Sequence, residues 1–220
     1  MRRRGFGAAA LAAAASLVVP PSPAAPSPAG AGACTPGYSY SGLAGRDGVS
    51  GVAATISTHV LPVVSSGHAA AWVGVGGLHE GLGNVSEWLQ AGIAAFPTAG
   101  LHVYVEEVSR GSARRFTDLG PAFVGRRYRV RVVETGRDVW QALVNGKPVG
   151  RPAFLPTAGG SWRPVATAES WSAARSTCNR FAYRFEAVSG LQAGHWRSLR
   201  EAERLGRGVT RAPSGFSAVG

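Results

Sequence analysis

The chain has 220 residues, with 23 Lys and Arg against 12 Asp and Glu, giving a formal charge of +11, or +8 without the three arginines at positions 2–4. That length suits one domain with a full core once a leader is set aside. The charge draws the surface toward anionic polymers, but no recognition motif and no aromatic–basic platform signature accompanies it, which excludes a specific nucleic-acid reader.

In chain order, Arg2, Arg3 and Arg4 open a positive segment, an uninterrupted small and apolar run follows over 8–19, and Pro and Ala dominate 20–33. This is the pattern of a secretory signal with a cleavage point after Ala25 or Ala33. The apolar run is too short to span a bilayer, and no second one follows. A lipoprotein reading of Cys34 is disfavoured, because Ala31 stands three residues before it and the apolar run ends far upstream. A secreted, extracellular protein without a membrane span is therefore expected. Cys34 and Cys178 are the two cysteines, and outside the cytoplasm such a pair predicts one disulfide.

The body is rich in Gly (31) and Pro (14), with short alternating segments between turn signals, which predicts an antiparallel all-β sandwich. Strands are predicted over 52–60, 69–75, 87–95 and 101–108. The clearest strand covers 127–132, where Tyr128, Val130 and Val132 alternate with Arg127, Arg129 and Arg131, one face buried and one solvated. A strand over 139–144 then meets Asn145-Gly146, a strong two-residue hairpin signal, before 147–149. Alternation returns over 180–188, with Phe181, Tyr183 and Phe185 inward. The segment 195–205 reads as a short helix stopped by Gly206, and the rest as a basic, disordered tail. The domain plan is thus a signal and linker over 1–33, a β-sandwich over 34–190, and a short helix with its tail over 191–220.

Charge is unevenly placed. No Lys or Arg occurs over 47–109, the second half is studded with Arg, and Lys147 is the single lysine. Five histidines, at 59, 68, 79, 102 and 195, show no metal-ligand spacing, so neither a metal nor a cofactor is expected. No G-x-S-x-G elbow is present, and Ser161 lacks the strand–turn–helix context of a nucleophile. Asn84-Val85-Ser86 is a formal glycosylation sequon, expected to be unused. What stands out is Gln90, mid-strand among apolar and small residues. A buried amide must find partners or cost several kcal/mol, and the alternative is a solvated face of an edge strand.

Two blocks carry a resemblance. Trp72-Val73-Gly74, followed after a short insertion by Leu89-Gln90-Ala91-Gly92-Ile93, is similar to the glutamic peptidase (eqolisin, G1) family. Gly125 ahead of an alternating strand, and the spacing of Trp140 and Asn145, fit the same pattern. The resemblance runs over about 51–188 and implies a concanavalin A-like β-sandwich of jelly-roll type. It also implies a catalytic Gln–Glu dyad, with Gln90 as the Gln and Trp72 beside the cleft. The Glu is carried on a later strand in a motif of the type A-E-W-I-V-E, where this chain has Ala168-Glu169-Ser170-Trp171. Two registers compete. In one the catalytic position falls near Ala173 and the dyad is broken; in the other, favoured here, Glu169 completes it.

Two functions follow. In the first, the protein is a secreted glutamic-type endopeptidase, or a divergent and inactive relative of one, acting on polypeptide through Gln90 and Glu169. Trp72, Trp88 and Trp171 then contact substrate, and arginines near the cleft hold Glu169 ionised and repel basic substrates. In the alternative, a non-catalytic sandwich binds extracellular polysaccharide or an anionic cell-wall polymer, with Trp88, Trp162 and Trp171 stacking on sugar rings.

Overall fold

The computed structural model describes residues 36–46, 48–77, 87–156, 162–173, 178–199 and 202–220. The expected leader, Cys34 and the sequon lie outside them. Among the described residues fifteen strands make up the regular structure: β1 (Gly37–Ala44), β2 (Gly51–Thr58), β3 (His68–Gly76), β4 (Trp88–Phe96), β5 (Gly100–Val108), β6 (Arg115–Pro121), β7 (Tyr128–Gly136) and β8 (Val139–Val144). They continue with β9 (Lys147–Phe154), β10 (Pro164–Ser172), β11 (Ala182–Gln192), β12 (His195–Ser198), β13 (Glu203–Leu205), β14 (Val209–Ala212) and β15 (Gly215–Val219). The first sheet runs β13-β1-β10-β3-β4-β5-β6, and the second runs β14-β15-β11-β2-β7-β8-β9 with β12 added on β11. The strand pairs of both sheets are antiparallel.

The core lies between the sheets. The second sheet supplies the bulk, with Ile56, Tyr128, Val130, Val132, Tyr183 and Phe185 on its inner face. The first answers with smaller groups, Ala69, Ala71, Ala91, Ala166 and Ala168 among Val73, Leu89 and Ile93. Large side chains facing small ones let the layers interdigitate at crystal-like density. Tyr183 reaches across the layer and donates its hydroxyl to the Ala69 carbonyl at 2.9 Å. Burial raises this phenol's pKa, so it remains a neutral donor.

The alternating arginines of β7 lie outward and its Tyr and Val inward, as predicted. Asn145 and Gly146 both adopt positive φ, 52° and 82°, the geometry of a tight hairpin turn matched to strand twist. The Asn145 carboxamide oxygen also accepts from the Arg129 N–H at 3.0 Å.

The C-terminal part differs from expectation. Residues 195–205 form no helix: His195–Ser198 is β12 and Glu203–Leu205 is β13. Ala193 and Gly194 turn at φ 46° and 79°, a second tight hairpin that folds β12 back on β11. The helix-favouring Arg, Glu and Leu of this segment are overridden by strand pairing, since propensity is a weak prior against tertiary contacts. The tail is ordered as well. β14 and β15 form a hairpin on the edge of β11, with Phe216 buried and stacked on Phe185 at 4.4 Å. The sandwich therefore extends to residue 220. Trp162, expected as an exposed stacking residue, is instead fully buried, its indole N–H donating to the Leu155 carbonyl at 2.9 Å.

Candidate active site

β3 is almost wholly buried along its length although it has only one inner face. Its other face is covered by side chains of the first sheet itself, and the register explains how. Residues directly opposite in an antiparallel ladder share a face. One outer row therefore reads Tyr40, Glu169, Ala70, Ala94, His102 across β1, β10, β3, β4 and β5. The next reads Gly42, Thr167, Trp72, Gly92, Tyr104, and the third Ala44, Val165, Gly74, Gln90, Glu106. A row below these holds Tyr38, Trp171 and His68.

The middle of this face is floored by Ala70, Ala94, Gly74 and Gly92, and the large groups stand around it. That contrast makes a cleft. Two adjoining cavities, of about 310 and 440 Å³, are both lined by Gln90, Glu169, Glu106 and Arg114. The smaller is walled by Phe96, Phe116, Tyr104 and His68. The larger is walled by Tyr38, Tyr40, Trp72 and Trp88.

Glu169 is 5% exposed, and both its oxygens are held. Oε1 pairs with His68 Nε2 at 2.8 Å, and Oε2 accepts from Trp72 Nε1 at 3.1 Å. Gln90, 6% exposed, donates one amide N–H to the Tyr104 hydroxyl at 3.2 Å. A carboxamide has two such hydrogens, and the second has no protein acceptor among the described residues. Tyr104 is fully buried and its pKa lies well above the ordinary phenol value, through burial first and then the charges of Glu169 and Glu106. It is therefore a fixed neutral hydroxyl behind Gln90.

A second carboxylate faces the same space. Glu106 accepts from Arg114 at 2.8 Å and from Trp88 Nε1 at 3.2 Å. Burial raises its pKa, with Arg114 pulling the other way. The Arg114 guanidinium also donates to the Tyr38 hydroxyl at 3.1 Å, linking the β5–β6 loop to β1 across the cleft. Burial opposes its charge, but Glu106 and Tyr38 outweigh that and raise its pKa. Tyr40 is shifted upward too, by burial and then by Glu169.

The ends of β3 and β10 are pinned together by Asn179. Its buried amide nitrogen lies 3.0–3.1 Å from the carbonyls of Ser66, His68 and Trp171 and from Ser170 Oγ. Its oxygen accepts from the Ser65 N–H at 2.9 Å. Cys178, next in the chain, is not a free thiol, and its expected partner Cys34 lies outside the described residues.

Gln90, Glu169, Trp72, Trp88 and Trp171 thus share one face. Trp72 and Trp88 contribute indole N–H groups to the two carboxylates, while Trp171 stacks on His68 at 6.4 Å. Glu106, Tyr104, His68, Arg114 and Asn179 were missed. For the first two the signal was present: the alternation over 101–108 sends Leu101, Val103 and Val105 inward, so His102, Tyr104 and Glu106 must share the other face. Nothing local marked His68, Arg114 or Asn179. Among the described residues no cluster of three metal-ligating side chains occurs, and no helix is long and apolar enough to cross a membrane.

The two antiparallel sheets form an all-β sandwich of glutamic peptidase-like, concanavalin A-like fold, with the cleft on the outer face of one sheet. Among solved structures, scytalidoglutamic peptidase bound to a peptide-based transition-state analogue aligns with a TM-score of 0.56 at 19% identity, over 84% of this chain and 97% of its own. SCP-B, an eqolisin-family peptidase in complex with the tripeptide Ala-Ile-His, aligns at 0.51 and 16% identity, over 84% and 96%. No protein-family model and no curated protein matches the chain.

Proposed function

We propose that this protein is a secreted glutamic-type endopeptidase in which Glu169 is the general base and Gln90 the oxyanion donor. One observation carries the reading: Glu169 and Gln90, both buried, line the same two cavities, the first as an oriented carboxylate and the second with an uncommitted N–H.

A water between them loses a proton to Glu169 as its oxygen attacks the peptide carbonyl carbon. The carbonyl oxygen becomes an oxyanion and accepts from Gln90 Nε2, a preorganised donor of a kind worth about 3–4 kcal/mol. Protonated Glu169 then gives that proton to the amide nitrogen, the C–N bond breaks, and an acid and an amine leave. The favoured register, with Glu169 in the dyad, is supported by its place on the cleft face. Polypeptide as substrate is supported by the peptide ligands of the similar structures. The N-terminal pattern supports export, and the Cys34–Cys178 disulfide would tie the start of the domain to the Asn179 knot.

A second reading has an observation of its own. Tyr38 and Tyr40, 50% and 41% exposed, stack nearly parallel at 6.2 Å on the cleft rim, a surface on which a sugar ring could lie.

The purified mature protein, incubated with an unfolded protein mixture from pH 2 to 8 and read by mass spectrometry, separates the two. The peptidase reading expects cleavage that Glu169→Gln abolishes and Gln90→Ala lowers by roughly 10²–10³-fold. No cleavage at any pH, with retention on a glycan panel that Tyr38→Ala and Tyr40→Ala remove, would establish the binder instead.

A further inference from the structure

We propose that His68 is the positioning residue of this site: its Nε2–H fixes the Glu169 carboxylate in the orientation that aims its free lone pairs into the cleft. The proposal rests on Glu169 being the base.

His68 opens β3, one register step from Glu169: His68 stands opposite Trp171 on β10, and Ala70 opposite Glu169. Cross-strand diagonals of this kind are within reach of long side chains. The Nε2–Oε1 distance of 2.8 Å shows that the reach is used. The ring itself has little freedom. It stacks on Trp171 at 6.4 Å with 22° between planes, and meets Tyr38 at 6.2 Å and Phe96 at 6.3 Å. Its backbone carbonyl is tied to Asn179 at 3.1 Å, and the preceding Gly67, at φ +71°, brings the chain under the Trp171 ring where no Cβ would fit.

A carboxylate held through one oxygen can turn about that contact; one held through both cannot. Trp72 supplies the first hold and His68 the second. Each oxygen has a further lone-pair site, and those remaining are left for the water shared with Gln90. An imidazole Nε2–H donates in its own neutral tautomer and in the imidazolium, so the hold does not depend on the charge of the ring.

Three variants test this on a peptide substrate taken from the digestion experiment. His68→Phe keeps a ring on Trp171 and removes the donor; kcat should fall roughly 10- to 100-fold, the scale seen when an orienting partner is lost, with KM unchanged. His68→Gln returns an N–H within reach and should recover most of kcat. His68→Ala should behave as His68→Phe in kcat but lose thermal stability as well. In the ¹⁵N-histidine spectrum of the wild type, the signal that His68→Phe removes should show Nε2 protonated, and Glu169→Gln should shift it. Unchanged kcat in His68→Phe, a change confined to KM, no rescue by Gln, or a neutral His68 that carries its proton on Nδ1 and none on Nε2 would overturn the proposal while leaving the dyad standing. A wild type that cleaves nothing overturns the base reading, and this proposal with it.

Discussion

Arg114→Ala should destabilise the protein at pH 8 and have much less effect at pH 4. Glu106 is 4% exposed and takes its charge partner from Arg114, whose side chain is 45% exposed. Losing one member of a fully buried pair costs about 3–5 kcal/mol, and a surface pair is worth about 0–1. A half-exposed arginine over a buried carboxylate belongs between them, at about 1–3 kcal/mol, or roughly 2–12 °C in Tm for a chain of this size. The pH dependence has a definite sign. The Glu106 carboxyl is raised above its ordinary 4.5 by burial, against the pull of Arg114. The folded state therefore holds this proton more tightly than the unfolded chain, and stability falls as pH rises from that ordinary value to the folded one. Without Arg114 the folded value climbs further, the window of loss widens upward, and the deficit grows between pH 4 and pH 8. Thermal unfolding followed by circular dichroism at pH 4, 6 and 8 measures this for Arg114→Ala, Glu106→Gln and the double variant. The double variant should recover most of the loss, because no buried charge is left unpaired. An equal deficit at pH 4 and pH 8, or a double variant equal to the sum of the singles, would mean that Arg114 acts through Tyr38 and packing rather than through charge.

Two further outcomes are expected. Gly92→Ala places a Cβ 1.9 Å from the Ala71 carbonyl oxygen and 2.8 Å from Trp72 Cα. The β3–β4 pairing beneath the site must shift, at a cost of about 1–3 kcal/mol. Calorimetry should find a lower Tm, and Gln90-dependent cleavage should fall with it. His102→Gln should lower Tm at pH 5 and lose that effect by pH 9. The His102 pKa is raised chiefly by its bond to Asp118, so its contribution is complete below the unfolded value of 6.5 and disappears as pH climbs through the folded one. An unchanged deficit at pH 9 would assign the effect to the Ala99 carbonyl contact instead.

The strands were legible where one face is dry and the other wet. Tyr128, Val130 and Val132 against Arg129 and Arg131 left no choice of face, and Asn145-Gly146 set the hairpin. β3 and β4 were legible as strands but not in orientation, because Ala, Gly, Val and Trp on both faces remove the period-two signal on which face assignment depends, and β10 was reached only through the resemblance. The two registers of Glu169 have another origin: they differ by four residues, an even step that keeps one face, and what separates them is that β10 ends at Ser172, leaving Ala173 beyond the strand. The C-terminal strands were illegible for a different reason. Their Arg, Glu and Leu composition favours helix, and what reverses it is a tight turn at Ala193-Gly194 that folds β12 onto β11, together with the pairing of β13 with β1, distant in sequence. Asn179 is the same problem in miniature, since its value lies in joining 65–68 to 170–171 and no local pattern reports that.

The strongly basic composition seemed at odds with a carboxylate-based site, and it implied arginines around the base. The cleft does not follow the average. Among the described residues its two cavities are lined by Glu106 and Glu169 against one guanidinium, Arg114, which Glu106 and Tyr38 engage. The alternating arginines of β7 lie on the outer face of the opposite sheet, with the core between them and the cleft. Among the described residues no arginine bonds Glu169; its partners there are an imidazole and an indole. Glu169 is thus oriented by groups that need no charge, and Arg114, the one cation lining the cleft among the described residues, is engaged by a second acid. A chain of +11 can in this way present a site whose carboxylates outnumber its cations. The local charge of the cleft is set by Glu106, Glu169 and Arg114 rather than by the average over the chain.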